Sequence, residues 1–208
     1  MQYILIAGLG NPGAEYDATR HNMGFRIIDA YARRHCAPWS KEVRFDSLAA
    51  RVADPRENGG PPAPGAILVK PQTYMNRSGE CLQRICRYYR VPVDSVHVIY
   101  DDVYLELGRI KISVRGSAGG HNGVENVMEH LGEDFVRFRI GIGPKDPPEM
   151  KLRDFVLSKF TDYQQALVDK KLPEYVEGLQ CLVDRGPVLA MNHVNMRCKI
   201  NEPDGNQE

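Results

Sequence analysis

His21 is the side chain of this protein best placed to move a proton near neutral pH. It sits in the polar run Thr19-Arg20-His21-Asn22, in a loop just ahead of an amphipathic segment, and imidazole is the group that ordinarily titrates in that range. Its rivals have poorer surroundings. His97 lies inside the apolar run Val96-His97-Val98-Ile99, and His35, His130 and His193 fall on or near helical segments without polar clusters beside them. His121, next to Asn122 in a glycine-rich loop, is the one competitor.

Two carboxylates, Asp101-Asp102, follow the apolar run that begins at Val93. Adjacent acids could hold magnesium, but such sites borrow further carboxylates or phosphates, and no third acid is convincingly placed. The other reading is that one aspartate accepts a histidine N–H, which fixes the tautomer and stabilises the imidazolium. Asn11, Asn76 and Asn122 complete the polar inventory. An amide does not titrate and both donates and accepts. A site of amides, one histidine and one acid suits a neutral substrate that carries peptide groups and develops an oxyanion.

The elements that must position these residues alternate. Tyr3–Ala7 reads as a buried strand ending in the turn Gly8-Leu9-Gly10-Asn11-Pro12-Gly13. That turn is not a dinucleotide fingerprint: the glycine spacing is wrong, Pro12 interrupts it, and no helix starts there to offer its amides to a pyrophosphate. Helices are expected at 24–34, 78–90 and 122–131, then over 161–184 with a restart at Pro187 to about Met196. Strands are expected at 43–53, 66–70, 93–100, 109–114 and 135–142. Residues 54–65, rich in proline and glycine, read as an exposed turn between two strands. The sum is an α/β protein of one domain, residues 1–198, with a twisted mixed β-sheet flanked by α-helices and a polar C-terminal tail at 199–208. Polar loops that follow strands converge at the carboxyl edge of such a sheet, so the clusters are expected to meet there.

Composition bounds the function. Lys plus Arg equals Asp plus Glu at 27 each, giving zero formal net charge. This argues against coating nucleic acid by bulk charge and leaves room for a local basic patch. Arg84, Arg87 and Arg90 are spaced to share a helix face, and Arg109, Lys111, Arg137 and Arg139 alternate on strands with Arg115 after them. Either a solvated face or phosphate contact explains them. The five cysteines are odd in number and lack metal-knuckle spacing, which suits a reducing cytosol. The apolar N-terminus has neither the basic start nor the cleavage site of a signal peptide, and no run is long enough to span a membrane.

Taken in order, several segments resemble the bacterial peptidyl-tRNA hydrolase family. They are Gly8-Leu9-Gly10-Asn11-Pro12-Gly13 through Tyr16, Thr19-Arg20-His21-Asn22, and Lys70-Pro71-Gln72-Thr73-Tyr74-Met75-Asn76 with Ser78-Gly79. Asp101-Asp102, Gly116-Ser117-Ala118-Gly119-Gly120-His121-Asn122-Gly123 and Phe138-Arg139-Ile140-Gly141-Ile142-Gly143 follow. The resemblance implies a monomeric, cytoplasmic esterase that frees peptide from tRNA and recycles the tRNA, with no metal or other cofactor. It implies His21 as the base with Asp101 as its partner. Asn11, Tyr16, Met75, Asn76, His121 and Asn122 would line the substrate cleft, and Arg139 would bind tRNA phosphate. The family often has lysine where Ser113 stands and histidine where Tyr100 stands; Lys111 and Arg115 are the candidates to replace the lysine. Two other readings of the same residues are an RNA-binding factor on this fold and a metal-dependent esterase using Asp101-Asp102.

Overall fold

The computed structural model describes residues 3–54 and 65–200, with side chains through residue 195. Of the turn expected at 54–65, residues 55–64 lie outside the described residues, as do residue 201 onward of the tail expected at 199–208 and the Cys198 side chain. Seven strands, β1 (Tyr3–Gly8), β2 (Ser40–Glu42), β3 (Ser47–Val52), β4 (Gly65–Pro71), β5 (Val96–Glu106), β6 (Ile110–Val114) and β7 (Val136–Gly143), form one sheet in the order β2-β3-β4-β1-β5-β7-β6. Strands β4, β1, β5 and β7 are mutually parallel; β3 joins β4, β2 joins β3, and β6 joins β7 in the antiparallel sense. The sheet is therefore mixed, as its sequence suggested.

The parallel centre is covered on both faces, which is why β1 reads as an unbroken apolar run. Helix α1 (Met23–Arg34) and the long α5 (Asp162–Ile200) bury one face, in a core containing Ile6, Ile28, Ile99, Phe138 and Leu179. Helices α2 (Ser78–Tyr89) and α3 (Asn122–Leu131) bury the other, around Leu5, Ala7, Leu82, Val98 and Val127. The alternation of Ile6 with Leu5 and Ala7 between the two cores is the period-two pattern of a strand. A short α4 (Leu152–Leu157) precedes α5. The expected restart at Pro187 is visible as a break in α5 at Gly186, whose φ of 74° is non-helical.

Four expectations need correction. The segment 43–53 is not one strand: Val43–Phe45 is a single 3-10 turn, and Asp46, in the left-handed region, redirects the chain into β3. Residues Val93–Ser95 likewise form a 3-10 turn before β5 begins. Asp101-Asp102 do not follow β5 but lie inside it, because the strand continues to Glu106. Helix α4 and strand β2 were not anticipated; both are too short to show a period. Arg90 falls beyond α2 at its left-handed C-cap, so it does not extend the row of Arg84 and Arg87 along the helix.

His97 is buried within β5, and its Nδ1 has no hydrogen-bond partner among the described residues. Burial pushes its pKa down to about 4. In the unfolded chain the same imidazole titrates near its ordinary value. Between these values the unfolded state binds the extra proton, so stability falls as pH drops from neutral toward 4. Urea unfolding at pH 7 and pH 5 should show about 2 kcal/mol more acid loss in wild type than in His97→Leu; equal losses in the two proteins would remove His97 as the cause.

Candidate active site

Strand β1 has β4 on one side and β5 on the other, so the order of connection reverses between β1 and β5. Crevices at such switch points are where α/β sheets hold ligands. The end of β1 and the first turn of α1 are pressed together here. A Cβ on Gly8 would lie 2.3 Å from the Gly24 carbonyl oxygen, and one on Gly24 would lie 2.4 Å from Leu9 backbone atoms and the Ile99 carbonyl oxygen. Only two glycines allow this approach, and it carries the 3-10 turn Arg20–Asn22, with His21 in it, against β5.

His21 Nδ1 faces the Asp101 carboxylate at 2.9 and 3.0 Å from its two oxygens. Asp101 is buried, 3% exposed, at the base of the cleft. His121 Nε2 lies 3.1 Å from Asp101 Oδ1, and the two imidazole rings are neighbours with centroids 4.7 Å apart. His121 is the N-cap of α3, and its Nδ1 accepts the Val124 backbone N–H at 3.2 Å. The proton of a neutral His121 therefore sits on Nε2 and is donated to Asp101. An ionised Asp101 can only accept, so His21 donates from Nδ1, leaving Nε2 as the ring nitrogen available to the cleft. Burial pushes Asp101 upward, but the charges and hydrogen bonds of His21 and His121 outweigh it and hold the group well below the usual carboxylate range. For His21, burial pulls downward, while the Asp101 charge and hydrogen bond win and raise it above 6.5.

The neighbouring Asp102 plays a different part. Its Oδ2 accepts from Arg139 Nε at 2.5 Å and its Oδ1 from the Tyr104 backbone N–H at 2.8 Å. The two adjacent aspartates therefore do not form a joint cation site. The group of described residues that could offer metal ligands is His21, Asp101 and His121, with ligand atoms within 4.8 Å of one another. An ion there would have to displace both protons that now bridge the imidazoles to the carboxylate.

The remaining expected residues surround one cleft of about 1030 Å³. Asn11 is buried at its floor. Its backbone N–H and C=O pair with the Asn22 side-chain amide at 2.9 Å each, and its Oδ1 accepts the Met75 N–H at 2.8 Å. That leaves the Asn11 NH2 turned to other use. Tyr16, Met75, Asn76 and Asn122 line the same cleft with His21, Asp101 and His121. Arg139 and Arg115 reach its edge, Arg139 bound to Asp102 and Arg115 to Asp134 at 2.6 Å. Lys111 stands beside Arg139 on β6 but does not line the cleft.

Two positioning residues were only neighbours in the sequence reading. Asn22 holds the Asn11 backbone, as above. Arg20 is buried between the Phe155 and Phe160 rings and donates to Ser158 Oγ and the Lys159 carbonyl at 2.6 Å each and to Gln164 Oε1 at 2.8 Å. It pins the His21 turn to the segment between α4 and α5. The one signal for either was their adjacency to His21.

A family model described as peptidyl-tRNA hydrolase matches residues 5–203. The chain belongs to the peptidyl-tRNA hydrolase family. It is 42% identical over 205 residues to the peptidyl-tRNA hydrolase of Gloeobacter violaceus, covering 98% of this chain and 100% of that one. With the Clostridium tetani enzyme it shares 41% identity over 92% of its own length and 97% of the relative's. The crystal structure of peptidyl-tRNA hydrolase from Acinetobacter baumannii superposes with a TM-score of 0.82 at 32% identity, over 93% of this chain and 94% of that one. The hydrolase fold expected from the sequence is therefore the one found.

The His21–Asp101 geometry makes a pH prediction for a hydrolase that needs neutral His21. Its kcat/KM should rise with pH through a midpoint above 6.5. In Asp101→Asn the charge that raises His21 is gone while burial remains, so the rising limb should move to lower pH and the plateau should fall on the order of a hundredfold or more. An unmoved limb would show that Asp101 does not set the ionisation of the base.

Proposed function

We propose that this chain hydrolyses the ester joining a peptide, or an N-blocked aminoacyl group, to the terminal ribose of tRNA, and so returns the tRNA to use. The carrying observation is the hydrogen bond of His21 Nδ1 to buried Asp101, which leaves Nε2 free at a cleft lined by amides. His21 Nε2 takes a proton from water as the water oxygen attacks the ester carbonyl carbon. Asp101 stabilises the resulting imidazolium. The Asn11 NH2, held by the Met75 N–H on its other atom, donates to the carbonyl oxygen as it becomes negative. Collapse of the tetrahedral intermediate breaks the bond to the ribose oxygen, which receives the proton from His21.

Asn76 and Asn122 are exposed on the cleft walls and suit the peptide groups of the substrate, with Tyr16 and Met75 beside them. His121 serves through Asp101 by fixing where the carboxylate points. Arg139, and Arg115 or Lys111 in place of the family lysine at Ser113, are the phosphate contacts of a chain with zero net charge. The reaction so written uses no metal or cofactor. The reading keeps the monomer that the family resemblance implies. The described cysteines, Cys36, Cys81, Cys86 and Cys181, are free thiols, which supports a cytosolic setting. No described helix is long and apolar enough to cross a membrane.

The test is release of an N-blocked aminoacyl group from tRNA with a chelator present. Wild type should turn over at its full rate. His21→Ala should remain folded, bind the tRNA and lose about a hundred- to ten-thousandfold in kcat. Near-normal turnover by the variant would refute His21 as base, and abolition by the chelator would refute the metal-free reaction.

A further inference from the structure

Strand β5 does not pair evenly with β7 to its end. Asp102 lies opposite Gly141 and Glu106 opposite Gly143, so four steps of β5 span two of β7. The extra residues bulge, and bulges beside active sites re-aim side chains. The partner strand is built to admit this one. A Cβ on Gly141 would lie 1.9 Å from the Glu106 carbonyl oxygen, and one on Gly143 would lie 2.0 Å from that of Val103. The run Gly141-Ile142-Gly143, which the catalytic account leaves unused, is thus the bed of the bulge.

The bulge displays Tyr104. Its backbone N–H leaves the ladder and is taken up by Asp102 Oδ1 at 2.8 Å. Its ring stands at the cleft mouth, 74% exposed, beside Gly119 of the glycine-rich loop. Asp102, itself buried, gives its other oxygen to Arg139. One carboxylate therefore spaces an exposed aromatic ring and a guanidinium on the same lip. Tyr74 is also exposed, at 58%, and lines the cleft edge-on to Tyr16 with ring centroids 6.5 Å apart. Aromatic faces for bases set beside cations for the backbone are how proteins hold single-stranded nucleic acid.

We propose that Tyr104 is a stacking platform for a nucleobase of the unpaired 3′ end of the RNA, held in step with the phosphate contact at Arg139 by Asp102. This rests on the reading of the cleft as a peptidyl-tRNA site and adds a specificity-determining residue to it. Stacking asks for a flat ring and not for the hydroxyl, so Phe should serve and Ala should not. Because the ring touches little of the core, its loss should leave folding intact.

Two measurements separate this proposal from the one it rests on. The first is steady-state hydrolysis of N-blocked aminoacyl-tRNA by wild type, Tyr104→Ala and Tyr104→Phe. The second is binding of an uncharged RNA hairpin with a short unpaired 3′ end, intact or with abasic nucleotides in that end. Tyr104→Ala should raise KM and the hairpin dissociation constant about ten- to hundredfold with kcat nearly unchanged. Tyr104→Phe should match wild type, and the abasic hairpin should bind wild type and Tyr104→Ala equally weakly. Unchanged binding of the intact hairpin by Tyr104→Ala, or an equal loss for the abasic one, would overturn the role of Tyr104. A wild type that binds the hairpin through Tyr104 but does not hydrolyse the ester would instead overturn the proposed reaction and leave the stacking role standing.

Discussion

A buried carboxylate shared by two neighbouring imidazoles organises this molecule. Asp101 is buried at the base of the cleft, and isolated burial of such a charge would cost several kcal/mol or neutralise it. It stays ionised because His21 and His121, whose rings lie side by side with centroids 4.7 Å apart, both donate to it. Each imidazole is in turn obliged to present a particular nitrogen. For His121 the obligation is doubled by the Val124 amide. For His21 it is what converts a loop histidine into a base with one nitrogen committed and the other free.

The rest of the fold serves that arrangement. The sheet reverses its order between β1 and β5, so the end of β1 delivers Asn11 and the middle of β5 delivers Asp101 at adjacent positions. The close contact of Gly8 with Gly24 sets the depth at which the His21 turn sits, and Arg20 fixes its outer side to the α4–α5 segment. Asn22 and Asn11 lock each other through a pair of amide–backbone bonds. Asp102, one residue along the same strand, points to the other face and performs a separate task with Arg139 and Tyr104. Neighbouring acids thus divide by the alternation of a strand, one toward chemistry and one toward the lip of the cleft.

Much of this was legible in the sequence. The apolar run of β1, the amphipathic period of α1 and the helical segments of α2 and α3 were clear, because burial on one or two faces writes itself into spacing. His21, Asp101 and the three asparagines stood out as polar residues in loops or at strand ends. What could not be read was long-range or irregular. The β5 bulge depends on steric room at Gly141 and Gly143, contributed by a different strand. The part played by Arg20 depends on Phe155, Ser158 and Gln164, more than a hundred residues away. His121 looked like a rival base because adjacency to Asn122 says nothing about the Val124 amide that fixes its tautomer. Strand β2 and helix α4 are shorter than the periods that would announce them.

His21 owes its tautomer to Asp101, His121 owes its own to Asp101 and the Val124 amide together, and nitrogen NMR of the two histidines in the intact protein reads this directly. At a pH high enough for both rings to be neutral, the account predicts a protonated Nδ1 with a bare Nε2 on His21, and a protonated Nε2 with a bare Nδ1 on His121. A bare Nδ1 on His21, with its proton on Nε2, would contradict the account, because the nitrogen assigned to take the proton from water would already carry one.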